Sequence, residues 1–173
     1  LREKMAVCDS VGGIIECSVS GLPAGLGDPV FDKLDANLAK AMLSIGAVKG
    51  FEMGDGFGAA ASCGSQNNDA FTVKNGEISK ETNHAGGVLG GISDGSDLVM
   101  RVAVKPTASI SRTQSTVKRD GTPVDVVIKG RHDPVIVPRA VVVVEAMAAL
   151  VIADALLLNM GSRVDRIREF YGK

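Results

Sequence analysis

The run Ala140-Val-Val-Val-Val-Glu145-Ala-Met-Ala-Ala-Leu150-Val-Ile-Ala-Asp-Ala-Leu-Leu-Leu158 decides the fold. Pro138 opens it, and Val141–Val144 is β-branched enough to suit a strand. Glu145-Ala-Met-Ala-Ala-Leu150 is strongly helix-forming, however, and the whole run is too long for one strand, so residues 138–160 are expected as a helix. Within Val141–Met160 the charges Glu145 and Asp154 stand nine positions apart, which at about 100° per residue puts them on roughly opposite helix faces. Two opposed acids in lipid would each cost about 2.5–3.5 kcal/mol. The run is therefore read as a core helix and not a membrane span. Having no polar face, it is expected to be covered on every side, with layers of sheet around it.

The neighbouring sequence supplies the other layers. Asp28 to Ser44 is expected as a one-sided surface helix, with Asp28 as cap and Pro29 in its first turn. Phe31, Leu34, Leu38, Ala41, Met42 and Ile45 recur at helical spacing there, and Gly46 is a natural stop. Ile14–Val19, Asp97–Lys105, Ser109–Val117 and Val124–Ile128 carry strand patterns, clearest where Leu98, Met100, Val102 and Val104 alternate with Arg101 and Lys105. Helices packed between antiparallel sheets make an α+β fold. Residues 58–96 are rich in Gly, Ser and Asn and are expected as a long functional loop, disordered without its ligand. No internal repeat is evident.

Composition excludes several functions. Lys+Arg of 19 against Asp+Glu of 20 gives a net charge of −1, without the basic surplus that a phosphate-backbone binder needs. Aromatic residues are only 3%, which argues against base-stacking surfaces. At 45% hydrophobic the 173 residues can bury a core of one domain. Cys8, Cys17 and Cys63 are an odd set with no C-x-x-C pair, so neither a disulfide framework nor a zinc site is expected and a reducing cytoplasm is the simplest setting. The chain begins at Leu1 in sequence that already reads as structured, and is expected to be part of something longer.

Three segments carry chemistry. Asn83-His-Ala-Gly86-Gly-Val-Leu-Gly90-Gly-Ile-Ser93 puts four glycines into six positions, which lets backbone press closely on a ligand or on other backbone. It matches neither a Walker A loop nor G-x-G-x-x-G, so structural turn and cofactor loop both stay open. Lys105-Pro-Thr-Ala-Ser109 sets a cation and two hydroxyls at a strand end, a plausible anion cradle or a plain corner. Lys129-Gly-Arg131-His132-Asp133-Pro134 places an anion fork, an imidazole and a carboxylate directly before the core helix.

These three segments, together with Gly25-Leu-Gly-Asp-Pro-Val-Phe-Asp-Lys-Leu-Asp-Ala36, Ser44-Ile-Gly-Ala-Val-Lys-Gly-Phe-Glu52 and Glu145-Ala-Met147, resemble chorismate synthase. The ordered match runs from about Asp9 to Met160. The resemblance implies a β-α-β sandwich, a homotetramer, and residues 1–173 as the C-terminal half of a single domain. It also implies the reaction: 5-enolpyruvylshikimate 3-phosphate loses phosphate and a proton to give chorismate, with reduced FMN required despite no net redox change. NADPH enters only as the reductant of that flavin. By position, Gly46, Ala47, Gly90, Lys105, Pro106, Thr107, Ala108, Ser109 and Arg131 resemble the family's FMN contacts, and Arg131 also a substrate contact. Asp133 resembles the aspartate that relays a proton from the flavin. Many relatives carry Asn where Gly46 stands, so the implied contact there is through backbone. No metal is implied.

Physical chemistry suits those roles. Reduced flavin and a phosphorylated dicarboxylate bring negative charges together, which Lys105 and Arg131 would offset in a low-dielectric site. The family's Gly-x-Ser-His-Gly segment, its second catalytic histidine and its arginine cluster lie outside these residues. His84 and His132 are not assigned their roles, and residues 1–173 alone are expected not to catalyse the reaction. The alternative is a non-catalytic folding or oligomerisation module that keeps the sandwich.

Overall fold

Alternation along Leu98–Val104 sends Leu98, Met100, Val102 and Val104 to one face, and all four are buried. This strand is the centre of a three-stranded antiparallel sheet. The computed structural model describes residues 1–74 and 76–172. In chain order its elements are helix α1 (Arg2–Ala6), strand β1 (Gly13–Val19), helix α2 (Leu34–Leu43), strand β2 (Val48–Met53), a 3-10 turn (Gly56–Ala61) and helix α3 (Gly64–Asn67). Hairpins β3–β4 (Phe71–Lys74, Glu77–Lys80) and β5–β6 (Val88–Leu89, Ile92–Ser93) follow, then the central strand β7 (Leu98–Val104). Hairpin β8–β9 (Gln114–Val117, Pro123–Val126), helix α4 (Val137–Met160) and helix α5 (Val164–Tyr171) complete the chain.

The sheet runs β1-β7-β2, with Ile15 and Phe51 both opposite Val102, and Cys17 and Met53 both opposite Met100. Its inner face packs on Leu34, Leu38 and Met42 of α2 and on Val144, Ala148 and Ile152 of α4, a single hydrophobic cluster. Each of these side chains recurs at i, i+4, i+8, so both helices contribute one stripe. Burying a Leu or Met fully stabilises by roughly 1.5–3 kcal/mol. The outer face is polar: Arg101 lies 3.4 Å from both Glu16 and Glu52 and donates to the Gly54 carbonyl at 3.1 Å. One antiparallel sheet with helices on one face is the expected α+β class.

Four expectations change. The helix expected from Asp28 is α2 and starts at Leu34, because Asp28 and Asp32 exchange two backbone hydrogen bonds and Val30 sits at φ 86°, a conformation no helix allows. Phe31 is accordingly 87% exposed and not on the core stripe. The core helix runs where expected, but it is covered on one face only. Leu150 and Leu157 are 66% and 67% exposed, because the described residues supply one sheet layer and none on the far side of α4. By length and composition alone this helix would also be long and apolar enough to cross a membrane.

The segment 58–96 is not an open loop. Two hairpins form within it, and Ser93 pins it to the core side by accepting from the Leu26 N–H at 2.9 Å and donating to the Pro23 carbonyl at 2.7 Å. Of the expected strands, Ser109–Val117 pairs only from Gln114 and Val124–Ile128 only to Val126.

Candidate active site

Strand β7 delivers Lys105 to its own end, and there the Lys105 N–H donates to the Ala47 carbonyl at 2.9 Å. Gly46 and Ala47 form the turn between α2 and β2, with Ala47 held at φ 71°. A side chain added at Gly46 would meet nothing within 4 Å, so the turn is open where many relatives are expected to carry Asn. Two of the expected site segments are therefore joined directly.

Residues 9–13 bind the rest of the strand end. Ser10 Oγ donates to the Thr107 carbonyl at 2.6 Å, and the Val11 N–H donates to the Pro134 carbonyl at 2.9 Å. Gly12 passes beneath: a Cβ there would lie 2.3 Å from the Val104 oxygen and 3.1 Å from Pro106. Only glycine permits that approach. Asp9 anchors the strap through the Ser10 N–H and Arg112, each at 2.9 Å, and these bonds hold its carboxyl below the usual range. Gln114 Nε2 donates to the Ala108 carbonyl at 3.1 Å. The strap thus brings the loop 129–134 beside Lys105–Ser109.

Within that loop Arg131 is exposed, and Asp133 Oδ2 pairs with Arg139 of α4 at 2.7 Å. His132 Nε2 lies 3.0 Å from the Ile128 carbonyl. Lys105, Pro106 and Ala108 are exposed as well. Among the described residues neither Lys105 nor Arg131 makes an ion pair. The donor set is two uncompensated cations with the hydroxyls of Thr107 and Ser109, which suits a phosphate-bearing cofactor such as FMN.

Gly90 is not brought to this cluster. It turns the β5–β6 hairpin at φ 61° with open space around it, and its neighbour Gly91 accepts from the Leu34 N–H at 2.9 Å. Gly90 therefore lies at the N-terminal end of α2 and Ala47 beyond the other end, a helix length of about 15 Å away.

The glycine segment has an anchor that the sequence did not reveal. Asp69 Oδ1 accepts the His84 N–H at 2.7 Å and the Thr82 hydroxyl at 2.8 Å, while Oδ2 accepts the Ala85 N–H at 2.9 Å. Burial works against ionisation of Asp69, yet these bonds and the Lys80 charge hold its carboxyl below the ordinary range. His84 Nδ1 lies 2.7 Å from Asp55 Oδ2, and Asn67 Nδ2 donates to the same oxygen at 3.2 Å. Beneath hairpin β3–β4, Lys80 and Asp94 form an ion pair with side chains only 5% and 9% exposed. Burial raises the Asp94 carboxyl, but Lys80 and the Ser96 N–H and hydroxyl outweigh it and hold it low. The sequence hint of these anchors is Asp next to Gly or Asn, at Gly54-Asp55-Gly56, Asn68-Asp69 and Asp94-Gly95. Among the described residues no group of three or more His, Cys, Asp or Glu could hold a metal.

An α+β layer whose central strand ends in a cation and hydroxyls, strapped to a loop carrying Arg and Asp, offers groups that can hold an anion and a carboxylate that can exchange a proton. A family model described as chorismate synthase matches residues 1–157, and the chain belongs to the chorismate synthase family. It is 64% identical over all 173 residues to a chorismate synthase of Agathobacter rectalis, covering 47% of that protein. To one of Lachnospira eligens it is 63% identical over 99% of this chain and 47% of the relative. A solved structure described as a crystal structure of chorismate synthase superposes with a TM-score of 0.75 at 34% identity, covering 99% of this chain and 45% of that one. The chain spans about half the length of the curated relatives it matches.

Proposed function

We propose that this chain is the C-terminal half of one chorismate synthase domain and supplies part of its active site. The reaction is loss of phosphate and a proton from 5-enolpyruvylshikimate 3-phosphate, assisted by reduced FMN, in a cytoplasmic homotetramer. The single observation that carries this reading is the junction of Gly46-Ala47 with Lys105, strapped through Ser10 and Val11 to the loop bearing Arg131 and Asp133.

Reduced flavin, when bound, would lend electron density to the substrate and so assist departure of its phosphate. The protein's own part is charge and position. Lys105 and Arg131 offset the negative charge of cofactor and substrate phosphates, and Thr107 and Ser109 add hydroxyl donors. Asp133 holds its Oδ2 on Arg139, which leaves Oδ1 to take up the proton released in the elimination. Gly90 contributes its contact from the far end of α2, and so from the side of the molecule away from Lys105.

The test is anaerobic titration of reduced FMN into the chain, and into the chain co-folded with the part of the relatives' length it does not span. Lys105→Ala and Arg131→Ala should each weaken flavin binding roughly ten- to a hundredfold, the value of a charge-assisted hydrogen bond. Phosphate release from 5-enolpyruvylshikimate 3-phosphate is expected only from the co-folded protein. Absence of flavin binding in both settings would favour the non-catalytic module; turnover by the 173-residue chain alone would refute the half-site.

A further inference from the structure

Beside the side chains of Lys105, Thr107 and Ser109, the end of β7 offers backbone donors. Among the described residues the N–H groups of Ala108 and Ser109 have no hydrogen-bond partner. Ala108 is exposed and Ser109 half-buried, so a ligand at the strand end can reach this stretch of backbone.

The carbonyls of the same two peptide units are already engaged, each by a side chain from elsewhere in the chain. Ser10 Oγ, from the strap before β1, donates to the Thr107 carbonyl at 2.6 Å. Gln114 Nε2, at the start of β8, donates to the Ala108 carbonyl at 3.1 Å. The peptide bonds are trans, and in a planar trans peptide the C=O and N–H point in opposite directions. Holding the Thr107 carbonyl therefore turns the Ala108 N–H away from Ser10. Holding the Ala108 carbonyl turns the Ser109 N–H away from Gln114. Two consecutive peptide planes are fixed while both N–H groups stay free.

Nothing else in the local backbone would fix them. β7 ends at Val104 and β8 begins at Gln114, so residues 105–113 belong to no ladder. A ligand that had to order such a stretch itself would lose affinity in doing so. Ser10, by contrast, is held firmly. Asp9 accepts the Ser10 N–H and pairs with Arg112, each at 2.9 Å, and the next N–H, of Val11, is bound to the Pro134 carbonyl at 2.9 Å. Gly12 then lies flat against the strand end, where a Cβ would stand 2.3 Å from the Val104 oxygen.

We propose that Ser10 and Gln114 are positioning residues of the strand end. By holding the Thr107 and Ala108 carbonyls they preset the Ala108 and Ser109 N–H groups to receive a phosphate monoester. Both act through the backbone rather than by touching the ligand. The proposal rests on the reading of Lys105–Ser109 as a segment that binds a phosphate-bearing cofactor. Lys105 supplies a point charge there, and the two N–H groups add the direction that a point charge lacks. Flavin and substrate share this phosphate chemistry, and the experiment separates them.

Titration of the co-folded protein with reduced FMN, and with reduced riboflavin, which has no phosphate, tests the role. Ser10→Ala and Gln114→Met each remove a donor at little change in size. Each is expected to weaken FMN binding about three- to tenfold, the value of one hydrogen bond, while riboflavin binding stays unchanged. If the phosphate is the substrate's, the same loss appears in the affinity for 5-enolpyruvylshikimate 3-phosphate and both flavins bind as before. Ser10→Thr keeps the hydroxyl and should restore wild-type affinity. Circular dichroism checks that each variant is folded. Equal weakening of FMN and riboflavin would mean a merely structural role and overturn the proposal. So would unchanged binding of FMN and substrate in both variants while Lys105→Ala still weakens FMN, or a failure of Ser10→Thr to restore affinity. If the wild-type protein binds neither flavin, the reading of the strand end fails, and the positioning role fails with it.

Discussion

The Lys105 N–H donates to the Ala47 carbonyl at 2.9 Å, and the Ala47 end of that bond sits in the left-handed region at φ 71°. An L-residue there carries about 1–2 kcal/mol of backbone strain, partly balanced by the greater entropy a glycine would lose on folding. The turn keeps this geometry because Val48 must enter the core and Lys105 must leave β7 at the same point.

Ala47→Gly is therefore expected to be neutral or stabilising by up to about 1 kcal/mol, and Ala47→Val to destabilise by about 2 kcal/mol or more. Urea midpoints of the two variants check this. A loss of stability in Ala47→Gly would mean that the turn is not strained.

The glycines divide sharply. At Gly54 a Cβ would stand 2.0 Å from the His84 oxygen, and at Gly86 it would stand 2.4 Å from the Gly54 nitrogen. Gly90 has a similar φ but empty surroundings. Gly54→Ala and Gly86→Ala should cost about 3 kcal/mol or more, whereas Gly90→Ala should cost only about 1–2 kcal/mol. Thermal unfolding ranks the three, and the folded Gly90→Ala protein then allows its flavin affinity to be read cleanly.

Acid stability follows from Asp69 and Asp94, whose carboxyls are both held below the ordinary range. A folded value below the unfolded value of about 3.9 contributes stability above about pH 4 that is lost as pH falls through the folded values. Protonation of Asp69 releases the His84 and Ala85 N–H groups, so hairpins and glycine segment should loosen first. Urea unfolding from neutral pH down into the acid range below about pH 4 should show a steep loss that Asp69→Asn reduces. An unchanged acid slope in the variant would remove Asp69 from this role.

Lys80 and Asp94 give an asymmetric expectation. Lys80→Met or Asp94→Leu alone leaves one buried charge without its partner and should cost about 3–5 kcal/mol, while the double replacement should come close to neutral. A double-mutant cycle by chemical denaturation measures the difference. Additive single effects would show that the pair is not coupled.

Much of the fold was legible locally. Period-two alternation located β7, and the apolar run of 140–158 located α4 to within a residue or two. The position of Lys105-Pro-Thr-Ala-Ser109 at a strand end followed from the same alternation. What local pattern missed were choices between local and distant partners. Asp28 and Pro29 look like a helix start, but the Asp28–Asp32 bridge took the backbone groups that the first turn would have used. Residues 58–96 look like loop because their anchors, Asp69, Lys80 and Asp94, each act on residues elsewhere in the segment.

The sequence by itself determined the central strand, the core helix, the body of α2 with its apolar stripe, and the residue types available to hold an anion. Those are properties of periodicity and composition within a few residues of each position. Only the tertiary structure decided that Ala47 meets Lys105, that Gly90 lies at the far end of α2, and that α4 is covered on one face. Such relationships depend on hydrogen bonds and packed surfaces between residues far apart in the chain, and no local pattern encodes which distant partner a given N–H, carboxylate or apolar stripe will find.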